Sequence, residues 1–441
     1  MIRRLAPGAL SAALLGLLAG CATYASIGNQ PRATAHASAP GYGLAQPVEK
    51  ARRDDITLVL AFSGGGSRAA ALAYGVLLEL HDTRLGERRL LDEVDAISGV
   101  SGGSFTAAYY GLRGEATFSE FESVFLRRDL SGDLLREILN PLRWFTREGR
   151  SEAAATLFDG EIFRGATFAD LQRAGGPLIV INATDLEGGN RFAFLQEYFD
   201  LLCSDLRGFP LAQAVAASSA VPVLLDPVVL ENYRGCPPPV LPSVPEDAPQ
   251  LQQLVQGMRS YADKDQRRYI HLVDGGLSGN LGLRAFEETI DLAGGLGPFL
   301  RRIGSEPKPH VVVVSVDASG NAAAGIGLDR KPPSMLQAID MASDVQLHRY
   351  NAATLEQTHQ RLQRWTRELS TPQGTVQPWL VTVALRDLPD PGERARLAKV
   401  PTSFDLQPEQ VEALVQAGRL LLRNNPKFRE ALGNLGGTPA E

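Results

Sequence analysis

The chain has 441 residues, of which 44% are hydrophobic and 21% are charged, and its formal net charge is −6. This length allows one large or two ordinary domains with a substantial buried core, and the composition argues against a disordered chain. Acidic and basic residues are interleaved along most of the sequence, without the basic run or face that nucleic-acid binding requires. We therefore expect a folded protein with a mildly acidic surface and no nucleic-acid partner.

The first 20 residues have the organisation of a secretory signal peptide. Arg3 and Arg4 form a short positive region, residues 5–18 are mostly apolar, and small residues then lead to Cys21. Such an apolar run is short for a membrane span and typical of an export signal. We predict that residues 1–20 are a signal peptide that is removed on export.

Cys21 ends the run Leu18-Ala19-Gly20-Cys21, which resembles the lipobox of bacterial lipoproteins. The resemblance implies that the cysteine is acylated, becomes the new N-terminus and anchors the protein without crossing the bilayer. Ala22 follows it, and by resemblance to Gram-negative lipoproteins a residue other than Asp here implies the outer membrane, on its periplasmic side. The alternative is a plain signal peptide in which Cys21 lies near the cleavage point by chance.

Residues 22–55 are rich in Ala, Pro, Gly, Ser and Gln and show no apolar periodicity. This composition favours a solvated chain over a packed element. Together with the acylated Cys21, residues 21–55 are predicted to form a flexible tether between the lipid anchor and the folded body.

Cys203 and Cys236 are the two remaining cysteines. An even pair in an oxidising compartment is a candidate disulfide. Two unrelated thiols would give the same sequence, so this alternative stays open.

The folded body begins at Ile56 and alternates short apolar runs with helical patterns. The runs bounded by turn residues predict buried strands; they are 56–62, 93–97, 178–183, 269–273, 311–316 and 380–385. The helical patterns between them include 69–80, 105–112 and 211–217. Alternating strands and helices predict an α/β fold with a largely parallel central sheet.

Two stretches interrupt this alternation. Residues 230–250 are dense in proline and predict a loop or insertion, followed by a surface helix over 252–265. Residues 334–369 are long and polar with scattered apolar positions, which predicts one or two helices, and a last helix is expected over 408–423. We predict a main domain over 56–330 and a mostly helical C-terminal extension over 331–441 that packs on it.

A glycine-rich turn follows the first predicted strand. It reads Ser63-Gly64-Gly65-Gly66-Ser67-Arg68 and opens an Ala-rich helix. Glycines let a ligand approach the backbone closely, and a helix N-terminus offers unpaired N–H donors. The segment therefore suits an oxyanion or a phosphate, although a tight turn alone would explain it.

A second segment, Gly99-Val100-Ser101-Gly102-Gly103, lies between the strand run that ends near Ile97 and a helical run. It has the G-x-S-x-G pattern of a nucleophile elbow, in which glycines permit a sharp strand-to-helix turn around an exposed serine. A chain with 44 glycines contains such a pattern by chance about a few tenths of a time. The strand predicted before the pattern and the helix predicted after it favour a nucleophile elbow over a chance match.

The third segment is Asp274-Gly275-Gly276, at the end of the strand run 269–273. A carboxylate at the carboxyl end of a strand lies where α/β sheets bind ligands. An aspartate that only caps a turn is the alternative.

In this order, the three segments resemble the patatin-like phospholipase family. Two further blocks occur in the expected order, at 182–194 and at 216–222, the second similar to the family's Ala-Ser-x-x-x-Pro helix end. The resemblance covers residues 56–283. It implies a three-layer α/β/α patatin-like fold, a catalytic domain over 56–330 and a serine acyl hydrolase that acts on phospholipid or other lipid esters.

The resemblance also implies a role for each site residue. Ser101 is the nucleophile and Asp274 its general base, in a dyad without histidine. The N–H groups of Gly65 and Gly66 stabilise the oxyanion, and Gly64 shapes the loop. Residues expected to support the site are Arg68, Gly99, Gly103, Gly275 and Gly276. No metal or cofactor is expected, and desolvation of Asp274 would bring its pKa towards the working range.

Three other functions fit parts of the sequence. A Ser-Asp-His α/β-hydrolase would use His310, His348 or His359, which lie in contexts more typical of surface histidines. A lipoprotein that binds lipid or a protein partner without turnover is the second alternative. The third is a phosphate-binding protein, but the chain lacks a P-loop lysine at the glycine-rich turn.

Overall fold

The computed structural model describes residues 25–32, 41–44, 55–139, 149–222, 224–237, 240–320, 330, 332–372 and 374–440. The predicted signal peptide and Cys21 lie outside these residues, so both stay predictions. In the described part of the chain, no helix is long and apolar enough to cross a membrane.

The core of the molecule is an eight-stranded mixed sheet. In chain order its strands are β1 Ile56–Phe62, β2 Val94–Val100, β3 Leu178–Asp185, β4 Asn190–Ala193, β5 Val228–Glu231, β6 Tyr269–Asp274, β7 His310–Asp317 and β8 Gln377–Ala384. Their order across the sheet is β8-β7-β1-β2-β3-β6-β5, with β4 paired to β3. The pairs from β8 to β3 are parallel, and β4, β5 and β6 join antiparallel.

Helices connect and cover these strands. In chain order they are α1 Gly66–Asp82, α2 Gly102–Arg113, α3 Thr117–Phe121, α4 Leu130–Leu139, α5 Arg150–Phe158, α6 Phe168–Ala174, α7 Gln196–Leu201, α8 Leu211–Ser218, α9 Pro249–Ser260, α10 Gly276–Gly279, α11 Arg284–Leu292, α12 Leu296–Ile303, α13 Met335–Leu369, α14 Pro391–Ala398, α15 Pro408–Arg423 and α16 Pro426–Asn434. Three short 3₁₀ turns and two π-helical turns lie between them, together with two-residue strands that pair outside the main sheet.

The two faces of the sheet bury different side chains. On β1, Leu58, Leu60 and Phe62 join the main core with α1 and α2, whereas Ala61 joins a second cluster that includes Leu362 of α13. Side chains alternate between faces along a strand, so helices cover both faces. The three-layer α/β/α architecture predicted from the sequence is confirmed.

Each predicted strand is present, and α13 is one continuous helix. The structure adds two strands that the sequence analysis did not predict, β4 and β5. The second, Val228–Glu231, begins just before the predicted Pro-rich insertion and pairs with β6 over four residues. Strands this short carry too few residues to show an alternating pattern.

The flexible tether predicted for residues 21–55 is wrong for the parts that the structure describes. Gln30–Pro31 pairs with Ser204–Asp205. Asn29 is buried and bonds both Ser204 and the backbone of Glu231. Tyr42 is fully buried, and its hydroxyl accepts a hydrogen bond from the N–H of Ile179 at 2.7 Å. Asn29 thus holds residues 25–32 and Tyr42 holds residues 41–44 against the folded body, although the composition of both parts is typical of a linker.

Cys203 and Cys236 are both free thiols in the structure. They are neighbours nevertheless, because the backbone N–H of Cys236 donates to the sulfur of Cys203 at 3.1 Å. Burial and this neighbour raise the pKa of Cys236 to about 11. The disulfide stays a prediction.

The C-terminal extension packs on the main domain through a close helix pair. A methyl group on Gly418 of α15 would come within 2.3 Å of the Leu72 carbonyl in α1, and one on Gly75 of α1 within 2.1 Å of the Val415 carbonyl. At one edge of this contact, the fully buried carboxylate of Glu79 accepts two hydrogen bonds from Arg423. The two backbones can approach this closely only because glycine lacks a side chain.

Candidate active site

Ser101 occupies a sharp turn between β2 and α2. Its φ of 48° and ψ of −122° lie outside the regions that L-residues favour, and the residue is 5% exposed. A methyl group on Gly99 would come within 2.7 Å of the Cα of Ser104, so the turn leaves no room for a side chain there. This is the strained geometry of a nucleophile elbow.

Asp274 reaches Ser101 because their strands pair with adjacent residues of β3. Val100, just before the serine, pairs with Asn182, and Asp274 pairs with Ala183. The two strands run in opposite directions, so their carboxyl ends meet at this point. The side chain of Ser101 lies close enough to the Asp274 carboxylate to lower its pKa, the proximity that proton transfer from a serine nucleophile to its base requires.

The carboxyl group of Asp274 is only partly exposed, and the loss of water around it raises its pKa from 3.8 to about 6. The N–H of Gly276, which donates to Oδ1 at 2.7 Å, and the neighbouring Ser101 side chain both oppose this rise in the pKa. Desolvation is therefore the larger effect. A carboxylate with this pKa is a stronger base than a free aspartate and still ionised at neutral pH.

The glycine-rich turn faces the elbow. A methyl group on Gly64 would come within 3.3 Å of the Ser101 Cβ, and the N–H of Gly64 already donates to the Asn280 carbonyl at 3.1 Å. Among the described residues, no group accepts a hydrogen bond from the N–H of Gly65 or Gly66. These two donors, at the N-terminus of α1, are the ones left for an oxyanion.

The helices α1 and α2 begin in contact beside the serine. A methyl group on Gly102 would come within 1.9 Å of the Gly66 carbonyl, and one on Gly103 within 2.7 Å of the Phe62 carbonyl. The glycines around Ser101 therefore bring two helix N-termini together. Gly275 has a similar role on the other side, because a methyl group there would come within 2.4 Å of the Asn182 carbonyl.

The three histidines of the triad alternative lie apart from the dyad. His310 is at the amino end of β7, where it packs on Trp379. His348 bonds the Gly320 carbonyl at 2.8 Å, and His359 bonds Gln363. None of them is among the groups that bond Asp274 in the described residues. Over the same residues, no cluster of His, Cys, Asp and Glu could hold a metal ion.

A family model described as patatin-like phospholipase matches residues 60–287, a range that contains the glycine-rich turn, the elbow and Asp274. The chain belongs to the patatin-like phospholipase family. The resemblance seen in the sequence is thus confirmed. A comparison with curated proteins finds no match.

The solved structures that match the chain are distant from it in sequence. Human GIVD cytosolic phospholipase A2 is 14% identical with a TM-score of 0.43, and the match covers 89% of this chain and 64% of that one. Its complex with methyl gamma-linolenyl fluorophosphonate matches at 13% identity, a TM-score of 0.36 and coverages of 89% and 62%. VipD from Legionella pneumophila matches at 12% identity with a TM-score of 0.25, and the match covers 92% of this chain and 73% of that one. The chain spans less than two thirds of the length of the human protein, and the family assignment depends on the sequence match alone.

The patatin-like Ala-Ser-x-x-x-Pro block contains a residue whose position the sequence analysis did not foresee. Ser218, at the end of α8, accepts a hydrogen bond from the N–H of Ser101 at 2.9 Å and donates to the Asn182 carbonyl at 2.6 Å. Its own carbonyl accepts from the N–H of Gly275 at 3.2 Å, and the Ala220 carbonyl accepts from the N–H of Asp274 at 2.9 Å. The end of α8 and the residues just after it thus hold the backbones of both Ser101 and Asp274.

The other patatin-like block forms a buried polar network beneath the elbow. Asn182 donates to Ser98 at 2.8 Å and to the Gly99 carbonyl at 2.9 Å, and it accepts from Arg191 at 3.2 Å. Arg191 in turn forms a 2.7 Å ion pair with Glu288, both side chains being almost fully buried. This network supports the strand ends that present the dyad.

Arg68, expected to support the site, bonds a residue that follows β7 and residues of the C-terminal extension. Its guanidinium bonds the carbonyls of Ala318 and Val400 and the hydroxyl of Thr402. The N–H of Ser67 donates to the Ser403 carbonyl at 2.8 Å. The C-terminal extension therefore holds the glycine-rich turn from behind, a contact between segments more than 300 residues apart that no local pattern indicates.

Proposed function

We propose that the protein is a lipid ester hydrolase in which Ser101 attacks the ester and Asp274 is its general base. The single observation that carries this proposal is the strand register, which brings Ser101 and Asp274 together at neighbouring residues of β3, with the pKa of the Asp274 carboxyl raised to about 6. A structural aspartate in a turn would be solvated or paired with a cation. An aspartate with a serine side chain beside it, and with no cation paired to it among the described residues, suits proton transfer instead.

In the first half of the reaction, Asp274 takes the hydroxyl proton as the Ser101 oxygen bonds the ester carbonyl carbon. The carbonyl electrons move onto its oxygen, which becomes an oxyanion. When the carbonyl re-forms, the bond to the alcohol breaks and the alcohol leaves with the proton from Asp274. An acyl-serine remains.

In the second half, a water molecule attacks the acyl-serine and gives its proton to Asp274. The second oxyanion collapses, the serine oxygen leaves with that proton, and the fatty acid is released. The dyad returns to its starting state without an oxidant, metal or cofactor in the balance.

Charge develops on the same oxygen in both halves. The N–H groups of Gly65 and Gly66 are the donors that support this part of the proposal, because they directly follow Gly64, which lies against Ser101, and no described residue accepts from them. Removing one such donor costs about 2.7–4 kcal/mol of transition-state stabilisation in another serine hydrolase. The α1 N-terminus adds a favourable dipole.

We also propose that the protein is exported and anchored by acylated Cys21 in the bacterial cell envelope, at the outer membrane. The lipobox-like run before this cysteine supports the proposal. Growth with labelled palmitate should label the protein, and Cys21→Ser should abolish the label. A wild-type chain without label would contradict the anchor.

Fatty-acid release from phospholipids and short esters tests the hydrolase. Wild type, Ser101→Ala, Asp274→Asn and a triple His310→Ala/His348→Ala/His359→Ala variant are compared. We expect turnover in wild type and in the triple variant and a loss of at least about a thousandfold in the two dyad variants. Turnover that survives Ser101→Ala would contradict the mechanism. A folded wild type that releases no acid from any ester would instead favour a lipoprotein that binds without turnover.

A further inference from the structure

Asn280 is a buried polar residue between the glycine-rich turn and the turn that carries Asp274. It directly follows α10 and is 5% exposed. Its backbone carbonyl accepts the N–H of Gly64 at 3.1 Å, but no described group forms a hydrogen bond with its side-chain carboxamide. Burying an amide without a hydrogen bond costs stability, so a group of this kind is explained by a ligand or a water molecule that it binds.

The carboxamide of Asn280 lies next to the nucleophile. A methyl group on Gly64 would come within 2.6 Å of Asn280 Oδ1 and within 3.3 Å of the Ser101 Cβ. Because Gly64 has no side chain, the amide and the serine border the same small space. Asn280 is therefore part of the site, although it lies neither on the elbow nor on the strand of Asp274.

A second space opens in front of Gly276, beside the base. The position that a methyl group on Gly276 would take is 2.9 Å from Asp274 Oδ1 and 3.3 Å from Asn280 Oδ1. Apart from Gly276, its chain neighbours and the backbone of α10, no other described atom lies within 4 Å of that position. The side chains that line this space therefore present two oxygen atoms to it.

Two oxygen acceptors are what a reacting water molecule needs. Water has two O–H donors, so a base that accepts one of them still leaves the molecule free to rotate about that bond. A second acceptor fixes the orientation of the molecule and directs a lone pair away from both acceptors. Orientation of this kind lowers the barrier to attack.

We propose that Asn280 is a further catalytic residue, whose carboxamide oxygen holds the water that hydrolyses the acyl-serine. One O–H of the water donates to Asp274 and the other to Asn280 Oδ1, while the water oxygen bonds the acyl carbon on Ser101. The first proton passes to Asp274 and then to the serine oxygen as its bond to the acyl carbon breaks. The second proton stays on the released fatty acid. The inference rests on the proposed function and adds a residue to the second half of its reaction.

The test measures the two halves of the reaction separately, with a dissolved short para-nitrophenyl ester. Nitrophenolate released in the first turnover follows acylation, and mass spectrometry of quenched samples follows the acyl group on Ser101. We expect Asn280→Ala to be acylated at the wild-type rate and to lose the acyl group about 10- to 100-fold more slowly. Acyl-serine should therefore accumulate in this variant.

A residue that only supports the fold would slow both halves alike. Equal losses in both halves of an Asn280→Ala protein that is folded by circular dichroism would overturn the proposal. Deacylation at the wild-type rate would overturn it as well.

Asn280→Asp is the matched variant, because it keeps the size and the acceptor oxygen of the side chain and removes its N–H donors. At a pH where both carboxylates are ionised, it should lose its acyl group several times faster than Asn280→Ala. A second charge beside Asp274 should also raise the pH midpoint of kcat/KM above about 6. An unshifted midpoint would contradict the shared space between the two side chains.

The wild-type protein separates a failure of this inference from a failure of the proposed function. A folded wild type that never forms acyl-serine would contradict the proposed function, and the role of Asn280 with it. An acyl-serine that forms in wild type and decays equally fast without the Asn280 carboxamide would contradict only the role of Asn280.

Discussion

Ser101 is held in a backbone conformation that serine does not favour. Its φ of 48° and ψ of −122° are of the kind that costs about 1–3 kcal/mol and persists only where the surrounding structure imposes it. At this site, Asn182, Ser218 and the start of α2 impose it. The strained turn costs stability and places the Ser101 side chain at the carboxyl end of β2, where Asp274 also lies.

Replacement of Ser101 should reveal this strain. Both Ser101→Gly and Ser101→Ala remove the hydroxyl, but glycine adopts positive φ without a steric cost. We therefore expect Ser101→Gly to be the more stable variant: its free energy of unfolding in urea should exceed that of Ser101→Ala by about 1 kcal/mol or more. At Ser104, inside α2, the order should be reversed because glycine weakens a helix by about 1 kcal/mol. Equal stabilities at position 101 would contradict a strained elbow.

If Asp274 is the general base, activity should decrease on the acid side of the pH profile as its carboxylate is protonated. Only the ionised carboxylate accepts the serine proton, and its pKa is raised from 3.8 to about 6. We therefore expect kcat/KM to rise with pH through a midpoint of about 6 and to keep this midpoint in the triple histidine variant. A midpoint near 4, or one that disappears with the histidines, would contradict Asp274 as the base.

The same raised pKa affects stability. The protonated carboxyl is favoured in the fold, so the free energy of unfolding decreases as the pH rises from about 4 through about 6. Asp274→Asn should remove this pH dependence. Its free energy of unfolding should exceed that of wild type by up to about 3 kcal/mol at pH 8 and differ little from it at pH 4. Denaturant unfolding of both proteins at the two pH values measures it.

At the scale of elements, the end of α8 connects the two halves of the dyad. Ser218 touches the nucleophile's N–H through its hydroxyl and the loop of the base through its carbonyl. It does not reach the ester itself, so its role is to position the reacting groups. The distance between serine and base thus depends on a helix that carries neither of them.

Ser218→Ala should lower kcat about tenfold, with KM nearly unchanged, because it leaves the Ser101 N–H buried without an acceptor. The adjacent Ser219 is a matched control: it is 2% exposed, and no described group bonds its hydroxyl. Ser219→Ala should keep the kcat of wild type. Equal effects of the two substitutions would indicate that Ser218 contributes to packing only.

The sequence predicted the elements that begin or end at a motif. The glycine-rich turn, the elbow and Asp274 each follow a buried strand, and the structure brings these strand ends together. The contacts of Ser218 could not be predicted, because the residue lies in an Ala-rich helix with a pattern that any buried helix shares. Tyr42 and Asn29 were missed for a related reason: a few anchoring side chains outweigh a linker-like composition.

At the scale of the whole molecule, the C-terminal extension packs on the part of the chain that matches the family. It holds the glycine-rich turn through Thr402 and Ser403 and packs on α1 through Gly418. The family match ends at residue 287, so the residues of the extension that make these contacts lie outside the part of the chain that carries the motifs. The sequence indicated the helices of this extension but not which surface they cover.

A methyl group on Gly418 should separate α15 from α1. Gly418→Ala places a carbon within 2.3 Å of the Leu72 carbonyl, and we expect a loss of about 1–3 kcal/mol in the free energy of unfolding. At Gly433, in α16, no described atom lies within 4 Å of the position that a methyl group would take, so Gly433→Ala should stabilise the helix by up to about 1 kcal/mol. Opposite signs in urea unfolding support the close helix pair; a harmless Gly418→Ala would contradict it.

The central claim is that Asp274 activates Ser101 as a nucleophile. An alkyl fluorophosphonate tests it most directly, because an activated serine oxygen bonds the phosphorus, fluoride leaves and the hydroxyl proton passes to the base. Mass spectrometry of digested wild type should show the phosphonyl group on the peptide that contains Ser101, with no adduct in Ser101→Ala and a much slower one in Asp274→Asn. An unmodified Ser101, or one that reacts equally fast without the Asp274 carboxylate, would contradict the claim.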